Sequence, residues 1–174
     1  MRETVTFILL ASVLAFGEQT PGIYADQNGT PSALSPAAYS GTQTSNSMVK
    51  VSIFWTFRGN HSPVQLSTNR PHFRLVCGNR ATVPLLMLCG PMGQPNDLIV
   101  VRLDEKSDRR EARTITGSVL GGHSGFDPKK ITMATAVKRD DGSWDVSLNS
   151  DLKAGEYLIT TGTQPQGFDF GIQK

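Results

Sequence analysis

The chain has 174 residues and a formal net charge of +2, and 38% of its residues are hydrophobic. This length suffices for one domain with a hydrophobic core, and the balanced charge argues against a nucleic-acid-binding protein, which needs a basic stripe. Glycine (17 residues) and proline (10 residues) are frequent, and this composition favours many short elements joined by turns.

Residues 1–25 have the pattern of a signal peptide. Arg2 precedes the apolar run Phe7–Phe16, which has signal-peptide length and is too short to span a bilayer comfortably. Small residues fit cleavage after Gly17 or after Ala25. The alternative interpretation is an uncleaved membrane anchor. We expect an exported chain with no membrane span after cleavage.

Residues 26–47 are rich in Ser, Thr, Ala, Gly, Pro and Asn. This composition buries little apolar surface, so we predict a disordered linker that precedes a β-sandwich domain over residues 48–174. The linker is either a tether that holds the domain off a surface or a frayed N-terminus of the mature chain.

Alternation of apolar and polar residues begins after the predicted linker. A period of two predicts strands from Met48 to Phe57 and from His72 to Cys77. The run Thr82–Cys89 is continuously apolar, which favours a strand covered on both faces, although Pro84 indicates an edge or a bulge.

Cys77 and Cys89 are the two cysteines of the chain. In an exported protein a disulfide is the expected state. Both stand at the ends of apolar runs, as expected for two strands joined by a loop. The alternative is a pair of buried thiols. A metal site is disfavoured because no histidine lies at ligand spacing from either cysteine.

Further strands are predicted in the second half of the chain, with a hairpin turn at Asp140-Asp141-Gly142. The mixed charge run Asp104–Arg113 is interpreted as a solvated turn that leads into the next strand. Strands are expected at residues 98–103, 114–120, 131–138, 144–148, 156–161 and 168–172.

Leu152, Gly155 and Tyr157 form the local pattern of a tyrosine corner. In such a corner the chain turns from one sheet into the next strand, and the tyrosine hydroxyl bonds to nearby backbone. Together with about eight to ten short strands and no segment of helical period, this pattern predicts an all-β fold. The expected architecture is an immunoglobulin-like two-sheet β-sandwich.

Four segments of the second half carry a family resemblance: VVRLDEKSDRRE, GGHSGFD, LKAGEY and FDFGI. In this part the chain resembles exported bacterial β-domain proteins of unassigned function that share RLxxKxDRRE, GEY and FDFG segments. The resemblance implies a secreted, periplasmic or envelope-associated bacterial protein. It implies no catalytic residues, and it does not extend to the cysteine pair.

Few residues are candidates for a catalytic or metal-binding site. His61, His72 and His123 lie at no zinc-binding spacing. Ser124 and Asp127 follow His123 and supply the residue types of a serine hydrolase, but no G-x-S-x-G motif is present. We predict no catalytic residue, cofactor or metal ligand.

A carboxylate cluster is the remaining candidate for a metal site. Interleaved lysines and arginines oppose calcium binding there and favour a solvated, salt-bridged segment. The carboxylates are Asp104, Glu105, Asp108 and Glu111.

Two tryptophans, Trp55 and Trp144, are candidates for an aromatic platform, although aromatic residues on alternating strands more often belong to the core. The leading hypothesis is a non-enzymatic exported β-sandwich, either an envelope or assembly component or a protein-interaction module. The edge to test is the terminal strand Phe168–Ile172 or the run Thr82–Leu88. A carbohydrate-binding module that binds a surface glycan is the alternative, and a secreted hydrolase around His123 is the third hypothesis.

Overall fold

The computed structural model describes residues 20–27, 29–78, 82–90, 95, 97–118 and 121–173. Within these ranges the chain forms fifteen β-strands, one α-helix (α1, Val83–Cys89) and one 3-10 turn at Pro128–Lys130. The strands are β1 Gly22–Gln27, β2 Thr30–Ala33, β3 Ser35–Pro36, β4 Tyr39–Ser47, β5 Lys50–Arg58, β6 Gln65–Leu66, β7 Phe73–Val76, β8 Ile99–Arg102, β9 Asp104–Glu105, β10 Arg109–Ser118, β11 Gly121–Ser124, β12 Ile131–Lys138, β13 Trp144–Leu148, β14 Gly155–Thr160 and β15 Phe168–Ile172.

The strands form two sheets, which confirms the predicted all-β sandwich. The large sheet has the order β2-β1-β7-β13-β12-β8-β14-β15-β3, with β6 paired to β15. The small sheet has the order β11-β10-β5-β4, with β9 paired to β10. Neighbouring strands are antiparallel except β6 and β15.

Two apolar cores separate three layers of strands. The first core lies between the two halves of the large sheet, one of which includes β1 and β7 and the other β14 and β15. It joins Ile23 and Leu75 of the first half to Ile159 and Phe170 of the second. The second core lies between β8 and β14 of the large sheet and the small sheet. Strands β14 and β15 are therefore covered on both faces, which explains why every residue of β15 is buried.

The predicted linker is wrong, because residues 26–47 contribute to four strands. Ile23 and Ala25 of β1 are fully buried in the first core. The polar strand β4 buries little side-chain surface, but its backbone pairs with β5 along its whole length. The composition of a segment indicates how little apolar surface it can bury. It does not indicate whether the backbone pairs with a neighbouring strand.

The structure bears on the two predicted cleavage points in different ways. Gly17 lies outside the described residues. Ala25 lies within β1, so cleavage after it would remove Ile23 and Ala25 from the core. Of the two points, cleavage after Gly17 would leave β1 intact.

The apolar run before Cys89 forms helix α1, so the predicted strand is wrong. Leu85, Leu88 and Cys89 are buried, whereas Leu86 is half exposed. This spacing places the buried residues on one side of a helix, and Pro84 stands in the first turn, where proline is tolerated. An uninterrupted apolar run carries no period that separates helix from strand.

The predicted disulfide is confirmed. The sulfur atoms of Cys77 and Cys89 lie 2.07 Å apart. The bond connects the residue that follows β7 to the C-terminal residue of α1. No helix among the described residues is long and apolar enough to cross a membrane.

Tyr157 makes the backbone bond that a tyrosine corner predicts. Its hydroxyl donates to the carbonyl oxygen of Lys153 at 2.6 Å, and burial raises the pKa of this hydroxyl. Gly155 has φ +146, and Arg102 would lie 3.2 Å from a Cβ there. Leu152 is buried in the first core.

Replacing Tyr157 by phenylalanine is expected to lower the free energy of unfolding by about 1 kcal/mol. The ring would keep its stacking on Phe170 at 5.6 Å, whereas the Lys153 carbonyl would lose its partner. Urea denaturation measures the change. Tyr39→Phe is the control, since Tyr39 is an exposed residue bonded to Thr42; equal effects of the two substitutions would contradict a role of the corner in stability.

Candidate functional site

A buried ion network joins the two sheets. Arg110 of β10 is 1% exposed, and its guanidinium extends from the small sheet to the large sheet. It binds Asp169 of β15 and lies 3.6 Å from Glu156 of β14. It also donates to the backbone carbonyls of Arg58 and Gly59 at 3.0 and 3.1 Å.

Glu156 interacts with residues of the segment between β5 and β6 and with Gln65 of β6. Its Oε2 accepts from the backbone N–H of Ser62 at 2.6 Å. Its Oε1 accepts from the Gln65 amide at 3.0 Å and lies 3.2 Å from Nδ1 of His61. Because the imidazole is 60% exposed, His61 is the point where the network meets solvent.

Asp169 is the least satisfied member of the network. Its Oδ2 binds Arg110, whereas its Oδ1 is buried without a hydrogen-bond partner. Burial raises the pKa of the Asp169 carboxyl, and the positive charge of Arg110 opposes the rise. The ionised form of Asp169 therefore depends on Arg110.

Gly171 gives the network room. An added Cβ at this position would lie 2.2 Å from the amide of Gln65. The side chain of Gln65 thus crosses β15 at the glycine and reaches Glu156. A larger residue at position 171 would displace the Gln65 amide, which donates to Glu156.

Three of the four segments that carry the sequence resemblance converge on this network. Arg110 belongs to the DRRE segment, Glu156 to the GEY segment, and Asp169 and Gly171 to the FDFG segment. No family model, curated protein or solved structure matches the chain. The network holds one cation and two carboxylates in fixed positions, which suits it to hold the sheets together.

The charge run Asp104–Arg113 is not solvated throughout, so the prediction of a solvated segment is wrong for its later residues. Arg110 and Glu111 are buried, and Glu111 binds Arg109 at 2.8 Å. Sequence reasoning missed the network, although a signal was present. Asp169 stands between Phe168 and Phe170, and Glu156 precedes the buried Tyr157, so both interrupt apolar strands.

Two of the other predicted carboxylates pair with cations. Asp108 binds Arg109 at 3.1 Å, and Asp104 binds Lys130. Glu105 lies in β9, which pairs with β10. Among the described residues no group of three or more potential ligands is placed to hold a metal ion.

The two tryptophans do not form one platform. Trp55 lies in the small sheet and packs edge-on against Phe126 at 5.2 Å. Trp144 lies in the large sheet, beside the first core and below the ammonium group of Lys138. Each is partly buried against a different core, so together they cannot stack on one ligand.

The structure shows no hydrogen bond among the three residues of the hydrolase hypothesis, His123, Ser124 and Asp127. Asp127 accepts from the backbone N–H of Lys129 and caps the 3-10 turn. Nε2 of His123 lies 3.4 Å from the carbonyl oxygen of Phe126, and Ser124 is exposed in β11. A serine triad requires hydrogen bonds from nucleophile to base and from base to carboxylate.

Neither predicted edge is free. Strand β15 pairs with β14 on one side and with β3 and β6 on the other, and the other predicted segment is helical. The small sheet ends in the four-residue strand β11 on one side and in β4 on the other. The nine residues of β4 span Tyr39–Ser47, and all of them except Gly41 are exposed.

The apolar face of β5 continues beyond the second core into solvent. One face of this strand carries every second residue, namely Val51, Ile53, Trp55 and Phe57. Their exposure increases from Phe57, which is fully buried, to Val51, which is 43% exposed. At the tip of the hairpin between β4 and β5, Met48 is fully exposed and Val49 is 64% exposed. Beside β4 lies an exposed apolar surface, the hairpin tip, made of Met48, Val49 and Val51.

Proposed function

We propose that the chain is a non-enzymatic exported protein-interaction module that binds an extended segment of a partner protein along β4. The observation that carries the proposal is a nine-residue edge strand open to solvent on both faces. Its N–H and C=O groups on the open side are ready to pair with another strand, and this mode of recognition is known as β-strand addition.

β4 lacks most of the features that normally protect an edge strand, although a bulge interrupts its pairing between Tyr39 and Gly41. Natural edges carry lysine, proline, bulges or inward-pointing charges, or they are very short. Residues 39–47 contain no charged residue and no proline. The strand is one of the longest in the fold, and Thr and Ser supply most of its side chains.

The hairpin tip supplies apolar contacts beside the edge. Strand addition obtains its affinity from backbone hydrogen bonds and its specificity from side-chain contacts. Met48, Val49 and Val51 expose apolar surface at one end of β4. A partner segment that is uncharged along its centre and apolar at one end fits this surface.

The disulfide supports the exported setting of the proposal, because such bonds persist in oxidising compartments. A secreted or envelope location gives the module access to extracellular or envelope partners. Cleavage after Gly17 would release the sandwich with β1 in place.

Adding charge to the edge is expected to weaken partner binding at least about tenfold. The variant is Thr44→Lys with Asn46→Lys, two exposed residues of β4. Producing cells are crosslinked, the chain is isolated from the envelope and soluble fractions, and crosslinked proteins are identified by mass spectrometry. Binding of the identified partner is then measured for wild type and variant.

The matched control adds the same charge elsewhere. Met133→Lys with Val137→Lys alters two exposed residues of β12, an interior strand of the large sheet. The proposal predicts full binding by the control and loss of binding by the β4 variant, with both folded by circular dichroism. Equal binding by the two variants would refute recognition along β4.

A further inference from the structure

A cleft of about 250 Å³ lies on the large sheet, away from β4 and from the ion network. It is formed by β1, β7 and β13 with the turn that joins β12 to β13. Its lining includes Tyr24, Asp26, His72, Arg74, Arg139 and Asp145.

Three of these residues form a row across the sheet. Tyr24 pairs with Arg74, and Arg74 pairs with Asp145. Side chains alternate along a strand, and the neighbours Ile23 and Leu75 belong to the first core. The row therefore lies on the outer face of the sheet and presents an aromatic ring, a cation and a carboxylate side by side.

The ring of Tyr24 is held in place. Its hydroxyl donates to the carbonyl oxygen of Thr20 at 2.7 Å. A Cβ on Gly22 would lie 3.3 Å from the ring, so the ring lies close against the backbone of Gly22. A rigid ring in a cleft wall loses little conformational entropy when a ligand packs on it.

The charged groups of the cleft are fixed by ion pairs. Arg139 donates from one nitrogen to both carboxylate oxygens of Asp145 at 2.9 Å. Arg74 binds Asp141 and donates to the hydroxyl of Ser143 at 3.1 Å. Asp26 accepts from the backbone N–H of Gly29 at 2.7 Å. Donors and acceptors thus stand at defined positions in the wall.

The formal charges of the lining cancel. Arg74 and Arg139 are balanced by Asp26 and Asp145. A phosphate or a carboxylate ligand would need an excess of cations, and a metal ion would need an excess of carboxylates. The complementary ligand is uncharged and carries many hydroxyl groups, each of which both donates and accepts.

From these observations we propose that the cleft binds a neutral carbohydrate, with one sugar ring packed on Tyr24. The sugar hydroxyls bond to the charged groups of Arg74, Asp145 and Arg139. Concave sites with an apolar surface and a few fixed polar groups are typical for small ligands. The cleft is separate from the two tryptophans, so sequence reasoning about aromatic platforms did not find it.

The test uses the folded chain from residue 18 onward and an array of neutral and acidic oligosaccharides. We expect binding to a subset of the neutral sugars. Replacing Tyr24 by alanine should weaken that binding at least about tenfold, whereas Tyr24→Phe keeps the ring and should retain most of it. Tyr39→Ala is the control, because it removes an exposed tyrosine of the small sheet.

Each other outcome would overturn the proposal. The first is the absence of binding to every sugar on the array. The second is binding that Tyr24→Ala leaves unchanged in a folded variant. The third is binding restricted to acidic sugars and lost at physiological salt, which would indicate a surface ion site. Partner binding along β4 is measured in parallel, and Tyr24→Ala should leave it unchanged.

Discussion

Replacing Arg110 by methionine is expected to lower the free energy of unfolding by about 3–5 kcal/mol, because removing one partner of a buried ion network leaves its other charges uncompensated. Arg110 is the cation shared by Asp169 and Glu156. Methionine fills part of the arginine volume, so the loss of charge dominates over the formation of a cavity. Urea denaturation followed by circular dichroism measures the change.

The same substitution should make stability more dependent on pH. Burial already raises the pKa of Asp169, and loss of the opposing charge of Arg110 would raise it further. An acid whose pKa is higher in the folded than in the unfolded state loses stability as the pH rises through the folded value. The stability difference between wild type and Arg110→Met should therefore be smallest below about pH 4 and should widen toward neutral pH.

Arg109→Met is the matched control for this prediction. Arg109 is the preceding residue, and its ion pairs with Asp108 and Glu111 lie nearer the surface. Asp108 is exposed, and the buried Glu111 keeps Lys106 as a second cation 4.0 Å away, so this substitution should have a smaller effect that depends less on pH. If the two variants lost similar stability, the network would not be what holds the sheets together.

Removing the disulfide is expected to lower the free energy of unfolding by about 3 kcal/mol, the value that chain-entropy models give for a loop of this length. The bond closes a sequence separation of 12 residues. It fixes α1 against the end of β7, and Leu85 and Leu88 of this helix belong to the first core. Cys77→Ala with Cys89→Ala is the variant, measured by urea denaturation.

A reducing agent tests whether the effect belongs to the bond. The wild type should lose about the same stability in dithiothreitol as the double variant loses without it. The double variant should show no response to the reductant. A loss below about 1 kcal/mol in both experiments would mean that packing of α1 alone fixes this region.

Strands β5, β12 and β13 were predictable because residues on at least one face of each strand pack on an apolar core. The alternation in β5 and β12 and the turn before Trp144 appear in the structure as predicted. The disulfide was predictable from two cysteines in a chain that begins with the pattern of a signal peptide. The hydrogen bond of Tyr157 agrees with a local pattern that extends over six residues.

Three features escaped the sequence for identifiable reasons. Helix α1 has a uniformly apolar sequence, which fits a strand and a helix equally well. Strands β2 to β4 have a linker composition and are held by backbone pairing. The cleft at Tyr24 depends on strand order, because β13 is placed beside β7 although 67 or more residues separate the two in sequence.

The sequence by itself determined that the chain is all-β, carries a disulfide and places a tyrosine at the start of β14, because these features depend on local period, cysteine chemistry and short-range geometry. Only the tertiary structure decided which edge is open, which carboxylates are buried with Arg110 and which polar residues share a cleft. Those properties depend on pairings between strands far apart in the chain. A local pattern cannot encode them, because the same alternation allows many strand orders.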